Sequence, residues 1–245
     1  MKLTKIISII IPVFNEKRYI LETILKVIKS DTLLYKKEII VINDGSTDTT
    51  LQVINQFLKS IANKDIGCSI KLISSKINYG KGNAIKIGMM KSSGDVVLIQ
   101  DADLEYSPDD YPVLLEPFMK NNADVVYGSR FISQKPHRVL YFWHFLGNSF
   151  LTMLSNVFTN INLTDMETGF KVFKGDFIRK LAEHLISDRF GFEPEVTARI
   201  SKIKNVKIYE VGVSYWGRTY REGKKISWKD GFKAIWQIIK FNLFP

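Results

Sequence analysis

Residues 6–30, "IISIIIPVFNEKRYILETILKVIKS", change their apolar period once, and that change decides the fold. From Ile6 to Phe14 the run is almost entirely apolar and largely β-branched, the pattern of a strand covered on both faces. From Asn15 to Ser30 the apolar residues recur at helical spacing, with Ile20, Ile24, Val27 and Ile28 on one face. Lysines ahead of the run imitate a secretory leader. Pro12 interrupts it, however, and Asn15-Glu16-Lys17-Arg18 stands where a small-residue cleavage site would be. The stretch reads as the first strand and first helix of a folded domain.

The same alternation recurs downstream. "KEIIVINDGSTD" (37–48) is a second strand ending in a glycine turn, and "TTLQVINQFLKSIANK" (49–64) a second helix, with Leu51, Ile54, Leu58 and Ile61 aligned. "SIKLISS" (69–75), "GDVVLIQDAD" (94–103) and "ADVVYGSR" (123–130) are further strands, and "GNAIKIGMMKSS" (82–93) is a helix. Ser107-Pro108-Asp109-Asp110 opens another helix, with a serine cap, proline at the first position and acids in the first turn. Strands alternating with helices predict an α/β fold, Rossmann-like, with a mostly parallel sheet and helices on both faces. Ligands of such sheets bind beyond the carboxyl ends of the strands. Asn15-Glu16, Asn43-Asp44, Asn78 to Lys81, Asp101 to Glu105 and Gly128 to Arg130 all fall there.

The 245 residues are enough for a full hydrophobic core, and neither a repeat nor a low-complexity linker divides them. A single cysteine, Cys68, rules out an internal disulfide and reads as core filler in a reducing compartment. The net charge of +10 suits a polyanionic partner, which admits nucleic acid, an anionic membrane or a phosphorylated substrate. No recognition-helix pattern or base-stacking aromatic motif accompanies it, so the sequence predicts no nucleic-acid binding.

A basic protein that gathers acids at the end of a buried strand is the anomaly to explain. In extended backbone Asp101, Asp103 and Glu105 face the same way, and three carboxylates at one point repel unless a cation lies between them. Hard oxygen ligands select magnesium or manganese, and magnesium characteristically shares a few carboxylates with substrate phosphates. Asp109 and Asp110 read instead as solvated residues supporting the next helix. Asn78-Tyr79-Gly80-Lys81-Gly82 precedes a helix and offers backbone N–H groups and Lys81 to a phosphate. It is not a P-loop, because the earlier glycine and the Ser or Thr after the lysine are missing.

"SIIIPVFNE", "VINDGSTD", "NYGKGNA", "DADLEYSPDD" and "YGSRF", in this order and spacing, resemble the family 2 glycosyltransferases of GT-A fold. Within that family the chain is most similar to the polyprenyl-phosphate hexosyltransferases, the dolichol-phosphate mannose or glucose synthase type. The resemblance is specific over residues 6–131 and looser through "DMETGFKVF", "FGFEPEV" and "GRTYREGKK" to about 225. It implies that Pro12, Asn15 and Glu16 line the nucleotide site with Lys81, and that Asp44 contacts the base or ribose. It also implies that Asp101 and Asp103 form the metal motif for Mg2+ or Mn2+, with Glu105 assisting. Arg130 and Arg218 match the positions that bind the acceptor phosphate; Arg138 is a weaker match, and Lys224 and Lys225 lie close by. Asn43 stands where the family commonly has a second acid, so the donor stays open between GDP-mannose and UDP-glucose.

The resemblance divides the chain into a GT-A domain (1–225), with a nucleotide-sugar half (1–131) and an acceptor half (132–225), and a C-terminal amphipathic basic helix (226–245). Residues 139–164 carry no Asp, Glu, Lys or Arg, yet polar residues recur along them, including His144, which reads as a satisfied helix residue. They read as an amphipathic helix packed on the core or lying at a bilayer surface rather than a spanning one. In "SWKDGFKAIWQIIKFNLFP" Trp228, Phe232, Ile235 and Ile239 share one face, and Lys229, Lys233 and Lys240 a neighbouring one. Core packing and an interfacial helix both fit this pattern. The expectation is a peripheral protein on the cytoplasmic leaflet. It moves a hexose to a polyprenyl (dolichyl or undecaprenyl) phosphate by metal-assisted, inverting displacement. That acceptor is already anionic near neutral pH and needs no base. A saccharide or glycolipid hydroxyl acceptor would need one, and Glu193, Glu195, Asp165 or Glu167 are the candidates.

Overall fold

Four parallel strands are laid down first, each separated from the next by a helix that crosses back over the sheet. In the computed structural model, which describes residues 5–132, 138–139, 141–189, 191–219 and 228–244, they are β1 (Ile6–Val13), β2 (Lys36–Asp44), β3 (Cys68–Ser75) and β4 (Val96–Ile99). Helices α1 (Ile20–Lys29), α2 (Thr50–Ile61) and α3 (Lys81–Lys91) connect them. The 3-10 turn Pro108–Asp110 leads into α4 (Tyr111–Lys120), and Ser107 caps it as expected, accepting from the Asp109 N–H. Then come β5 (Val125–Ser129), α5 (Phe142–Thr159), β6 (Lys171–Lys174), α6 (Gly175–Ala182), α7 (Phe192–Ser201), β7 (Ile208–Gly212) and α8 (Trp228–Leu243).

The seven-stranded sheet runs β3-β2-β1-β4-β6-β5-β7. β6 pairs antiparallel with both β4 and β5, and every other pairing is parallel. The expected mostly parallel sheet is therefore present, but the strand at 125–129 is not the neighbour of β4. A later segment is inserted between them. "KVFK" is too short to show a period, and its role depends on partners 45 to 80 residues upstream.

Side chains alternate between the two faces of the sheet. Ile7, Ile9, Ile11, Ile39 and Val41 pack with α1, α2 and α4, while Ile10, Ile40, Ile42, Val97 and Phe173 pack with α3, α6, α7 and α8. Both faces are covered, which is why these strands read as unbroken apolar runs.

Several local readings differ from the structure. α1 begins at Ile20, because residues 14–19 turn first and Asn15 sits at φ 53°. In α2 only Ile54 of the expected apolar face is fully buried. In α8 the buried face is Ala234, Ile238 and Phe241, packed mainly against α5 and α7, whereas Phe232 is 67% and Trp236 59% exposed. Ala234, Ile238 and Phe241 fit between two other helices, and Phe232 and Trp236 are left facing outward. Asp110 is buried, not solvated, and accepts from the Ser214 backbone N–H at 2.6 Å and from its hydroxyl. The side chains of Trp228 and Lys229, and Lys224 and Lys225 altogether, lie outside the described residues.

Gly88 of α3 lies directly on the fully buried Ile10 side chain, leaving no space for a Cβ. Gly88→Ala gains about 1 kcal/mol of helix propensity but forces a β-branched neighbour to move, at about 1–3 kcal/mol. The expected urea midpoint is lower by about 1 kcal/mol of stability with an unchanged m-value; an equal or higher midpoint contradicts this packing.

Candidate active site

The loops after β1, β2, β4 and β5 surround a cavity of about 1460 Å³ at the carboxyl edge of the sheet. One end is polar and built from strand termini: Pro12 at the end of β1 and Glu16 just after it, Asp44 at the end of β2, Lys81 opening α3, and Asp101 and Asp103 after β4. The other end is apolar, walled by Val139, Tyr141, Phe142, Trp143 and Phe145 at the start of α5. Arg130, Arg138, Tyr215 and Arg218 line the cavity as well. Nearly all of the sequence-derived site residues are thus brought together.

The acid cluster is not the three-carboxylate array expected from alternation. β4 ends at Ile99, and the chain then turns, with Leu104 in the left-handed region at φ 62°, a strained conformation for a branched side chain. The acids are divided between two cations, Lys81 and Arg218. Asp101 pairs with the Lys81 ammonium at 2.8 Å, and Asp103 with Arg218 Nη2 at 2.6 Å. Glu105 accepts from the Tyr215 hydroxyl and the Arg218 backbone N–H, both at 2.9 Å, and from Arg218 Nε at 3.2 Å. Glu16 lies 3.6 Å from Arg218 Nη1. Among the described residues no three His, Cys, Asp or Glu side chains form a group able to hold a metal ion, and Glu105 in particular is turned to Arg218 and Tyr215. Burial, with Asp101 and Glu105 close by, nevertheless raises the Asp103 carboxyl to about 7 against the pull of Arg218. Crowding of this kind at a rim of hard oxygen donors fits a divalent cation shared by Asp101 and Asp103. Burial by itself would lower the Lys81 ammonium, but Asp101 and Glu193 outweigh it and hold the charge in place. Gly169 lets Asp101 approach, since a Cβ there would meet its carboxylate.

At the end of β2, Asp44 accepts from the N–H groups of Tyr79 (3.0 Å) and Gly80 (2.7 Å), while lining the cavity. Those amides, offered by the sequence to a phosphate, are already taken. Asn15 does not line the cavity. Its side chain is spent on the next loop, accepting from Thr47 N at 2.8 Å and Asp48 N at 3.3 Å. Asn43 is likewise absorbed by Ser74 and Ser46.

The four candidate bases separate clearly. Asp165 is fully buried and holds Arg130 in a two-pronged pair at 2.7 Å through both Nε and Nη2. Glu195 is fully buried and accepts from Ile186 N, Ser187 N and Arg199 Nε. Neither faces the cavity. Glu193 and Glu167 do, with Glu193 3.6 Å from Lys81. Glu167 has a buried Oε1 with no hydrogen-bond partner among the described residues. Burial, then the charge of Glu193, raises its carboxyl to about 7. Beneath it Lys171 is buried over the Tyr127 ring, and burial lowers its ammonium to about 8 against the pull of both acids. Lys171, Tyr215 and Tyr106, whose hydroxyl accepts from Gly169 N at 2.9 Å, escaped the sequence reading. A lysine in a short apolar strand was the one visible signal.

The open, mostly parallel sheet with acids and a lysine at its carboxyl edge has the architecture of the GT-A fold. The chain belongs to glycosyl transferase family 2, whose family model matches residues 8–182. It is 30% identical over 249 residues to dolichyl-phosphate beta-glucosyltransferase ALG5A of Trichomonas vaginalis, covering 97% of this chain and 73% of that one. It is 27% identical to the dolichyl-phosphate beta-glucosyltransferase of Dictyostelium discoideum, over 96% and 72% of the two chains. Its fold matches glucosyl-3-phosphoglycerate synthase of Mycobacterium tuberculosis, solved with Mn2+, uridine diphosphate and phosphoglyceric acid, with TM-score 0.70 and 19% identity over 98% and 80% of the chains.

Because the folded state holds the Glu167 proton more tightly than an unfolded chain does, ionising it costs stability as pH rises from about 4.5 through about 7. Glu167→Gln removes that penalty. The expected gain is about 1–2 kcal/mol at pH 8 and none at pH 4, read from thermal midpoints at both values. An equal gain at both pH values means that Glu167 does not titrate in this range.

Proposed function

We propose that the enzyme transfers glucose from UDP-glucose to the phosphate of a polyprenyl lipid at a membrane surface. The observation that carries this reading is the two-ended cavity, with charged groups at the sheet edge and an aromatic wall on α5. That wall continues onto exposed surface: Phe142, Trp143, Phe150, Met153 and Val157 on α5 and Phe232 and Trp236 on α8 all face outward. Lys233 is exposed on the same helix as those two aromatics. No helix among the described residues is long and apolar enough to cross a membrane, so an interfacial attachment is the one the helices support. The named relatives are glucosyltransferases acting on dolichyl phosphate, and the solved neighbour carries uridine diphosphate; both favour this donor over GDP-mannose.

In the proposed reaction an acceptor phosphate oxygen attacks the anomeric carbon as the bond to the β-phosphate oxygen breaks, and the configuration inverts. The oxygen is already anionic, so no base is required. Arg130 and Arg218 hold it; Asp165 fixes the plane of the Arg130 guanidinium, and Glu105 that of Arg218. Pro12, Glu16, Asp44 and Lys81 border the donor, and the apolar wall holds the first isoprene units. Asp101 and Asp103 would hold Mg2+ or Mn2+, which supplies counter-charge to the departing diphosphate. A hydroxyl acceptor is the second reading, favoured by the Glu167 carboxyl, which is raised to about 7 and whose Oε1 has no hydrogen-bond partner among the described residues.

The direct test is transfer of labelled glucose from UDP-glucose to a short polyprenyl phosphate with Mn2+. Asp101→Asn or Asp103→Asn should lower kcat/KM by roughly a thousandfold. Glu167→Gln should leave most activity; its loss moves the assignment to a hydroxyl acceptor. Val157→Asp with Trp236→Asp, both exposed and outside the cavity lining, should release the protein from anionic vesicles in a sedimentation assay while sparing transfer to a detergent-dispersed acceptor. Persistence of vesicle binding in that double variant removes these helices from the interface.

A further inference from the structure

Seven carboxylates line the cavity against five lysine and arginine side chains, so a nucleotide diphosphate enters a site with surplus negative charge. Most of the cations are committed. Lys81 is paired with Asp101, Arg130 with Asp165 and Arg218 with Asp103 and Glu105, while Arg138 donates to Gly217 O. Arg189 alone has no hydrogen bond or ion pair among the described residues, and it is exposed to the cavity that it lines.

Its placement is built rather than incidental. The segment 185–189 is strapped to α3: Lys86 Nζ donates to Leu185 O at 2.5 Å and Asn83 N to Asp188 O at 3.0 Å. From the other side the buried Glu195 carboxylate accepts from the N–H groups of Ile186 and Ser187. The two glycines flanking Lys81 exist for this crossing. A Cβ on Gly80, at φ 110°, would meet Asp188 O and the Arg189 Cγ, and one on Gly82 would meet Ser187 O and Arg189 O. "NYGKG" therefore wraps no phosphate through its glycines; it admits a second backbone that sets the Arg189 Cγ against Gly80, on the rim of the cavity that Asp44 and Lys81 also line.

We propose that Arg189 binds the diphosphate of the nucleotide sugar, as the uncommitted cation at the donor end of the cavity. A planar fork with no counter-ion among the described residues forms charge-assisted bonds to phosphate oxygens without first breaking a pair. Its position against Gly80 sets it at the strand-end, nucleotide side rather than at the aromatic wall. This inference rests on the glycosyltransferase reading of the cavity, so its test reads nucleotide binding, which needs no acceptor.

The experiment is calorimetric titration of the full chain with UDP, and separately with GDP, in the presence of Mn2+. Arg189→Gln should weaken the bound nucleotide roughly tenfold or more, and Arg189→Lys should recover part of the loss. Thermal midpoints without nucleotide should be unchanged, since the side chain is exposed. In turnover the Gln variant should raise KM for the donor while the KM for polyprenyl phosphate stays constant. Unaltered nucleotide affinity in the Gln variant overturns the proposal, as does a raised acceptor KM with unaltered nucleotide affinity. Weakened UDP affinity supports it even if polyprenyl phosphate proves the wrong acceptor. A wild-type protein that binds neither nucleotide overturns both this proposal and the donor reading beneath it.

Discussion

Arg218 reaches back across 115 residues to place its guanidinium among Asp103, Glu105 and Glu16. The cavity depends on that reach. A basic chain has no electrostatic difficulty in general, but the carboxyl edge of its sheet concentrates acids in a partly dry space, where like charges a few ångströms apart interact strongly. Two internal cations, Lys81 from α3 and Arg218 from the loop after β7, make the arrangement tolerable. Burial leaves Asp103 hard to ionise even so. Stability here is sacrificed for a charge pattern, as expected where a fold serves chemistry instead of itself.

The first half of the fold was legible because its information is local. Ile6–Val13, Lys36–Asp44 and the helices between them carry their period within a dozen residues, and helix starts such as Ser107-Pro108 carry their own caps. The second half was not. β6 is four residues long and antiparallel, and only its neighbours Val97 and Val126 explain it. The same distinction separates the site residues. Asp101, Asp103, Lys81 and Arg218 were visible as residue types at strand ends or in a motif. Their pairing was not, because it depends on a left-handed Leu104 and on contacts between segments far apart in sequence. Asn15 and Asp110 show the opposite error. A polar residue at a strand end or beside a helix start looks available, and in three dimensions it is already spent on backbone N–H groups.

The outer surface follows a different logic from the interior. α5 and α8 press small and branched side chains into each other and into α7, and turn tryptophan and phenylalanine outward. In a helix designed only for packing the large rings would be inside, where each buries the most area. Their outward position places apolar area next to the apolar mouth of the cavity, so the surface and the interior are continuous at that point.

The buried bond from Asp110 to Ser214 has a consequence for genetics. By chain order position 110 belongs to the turn ahead of an ordinary helix, and nothing local distinguishes it from Asp109. Yet it tethers the segment that delivers Tyr215 and Arg218 to the cavity, so a change there shifts both side chains at once. In a functional screen such an allele would be scored with the chemistry, although its side chain never meets a substrate.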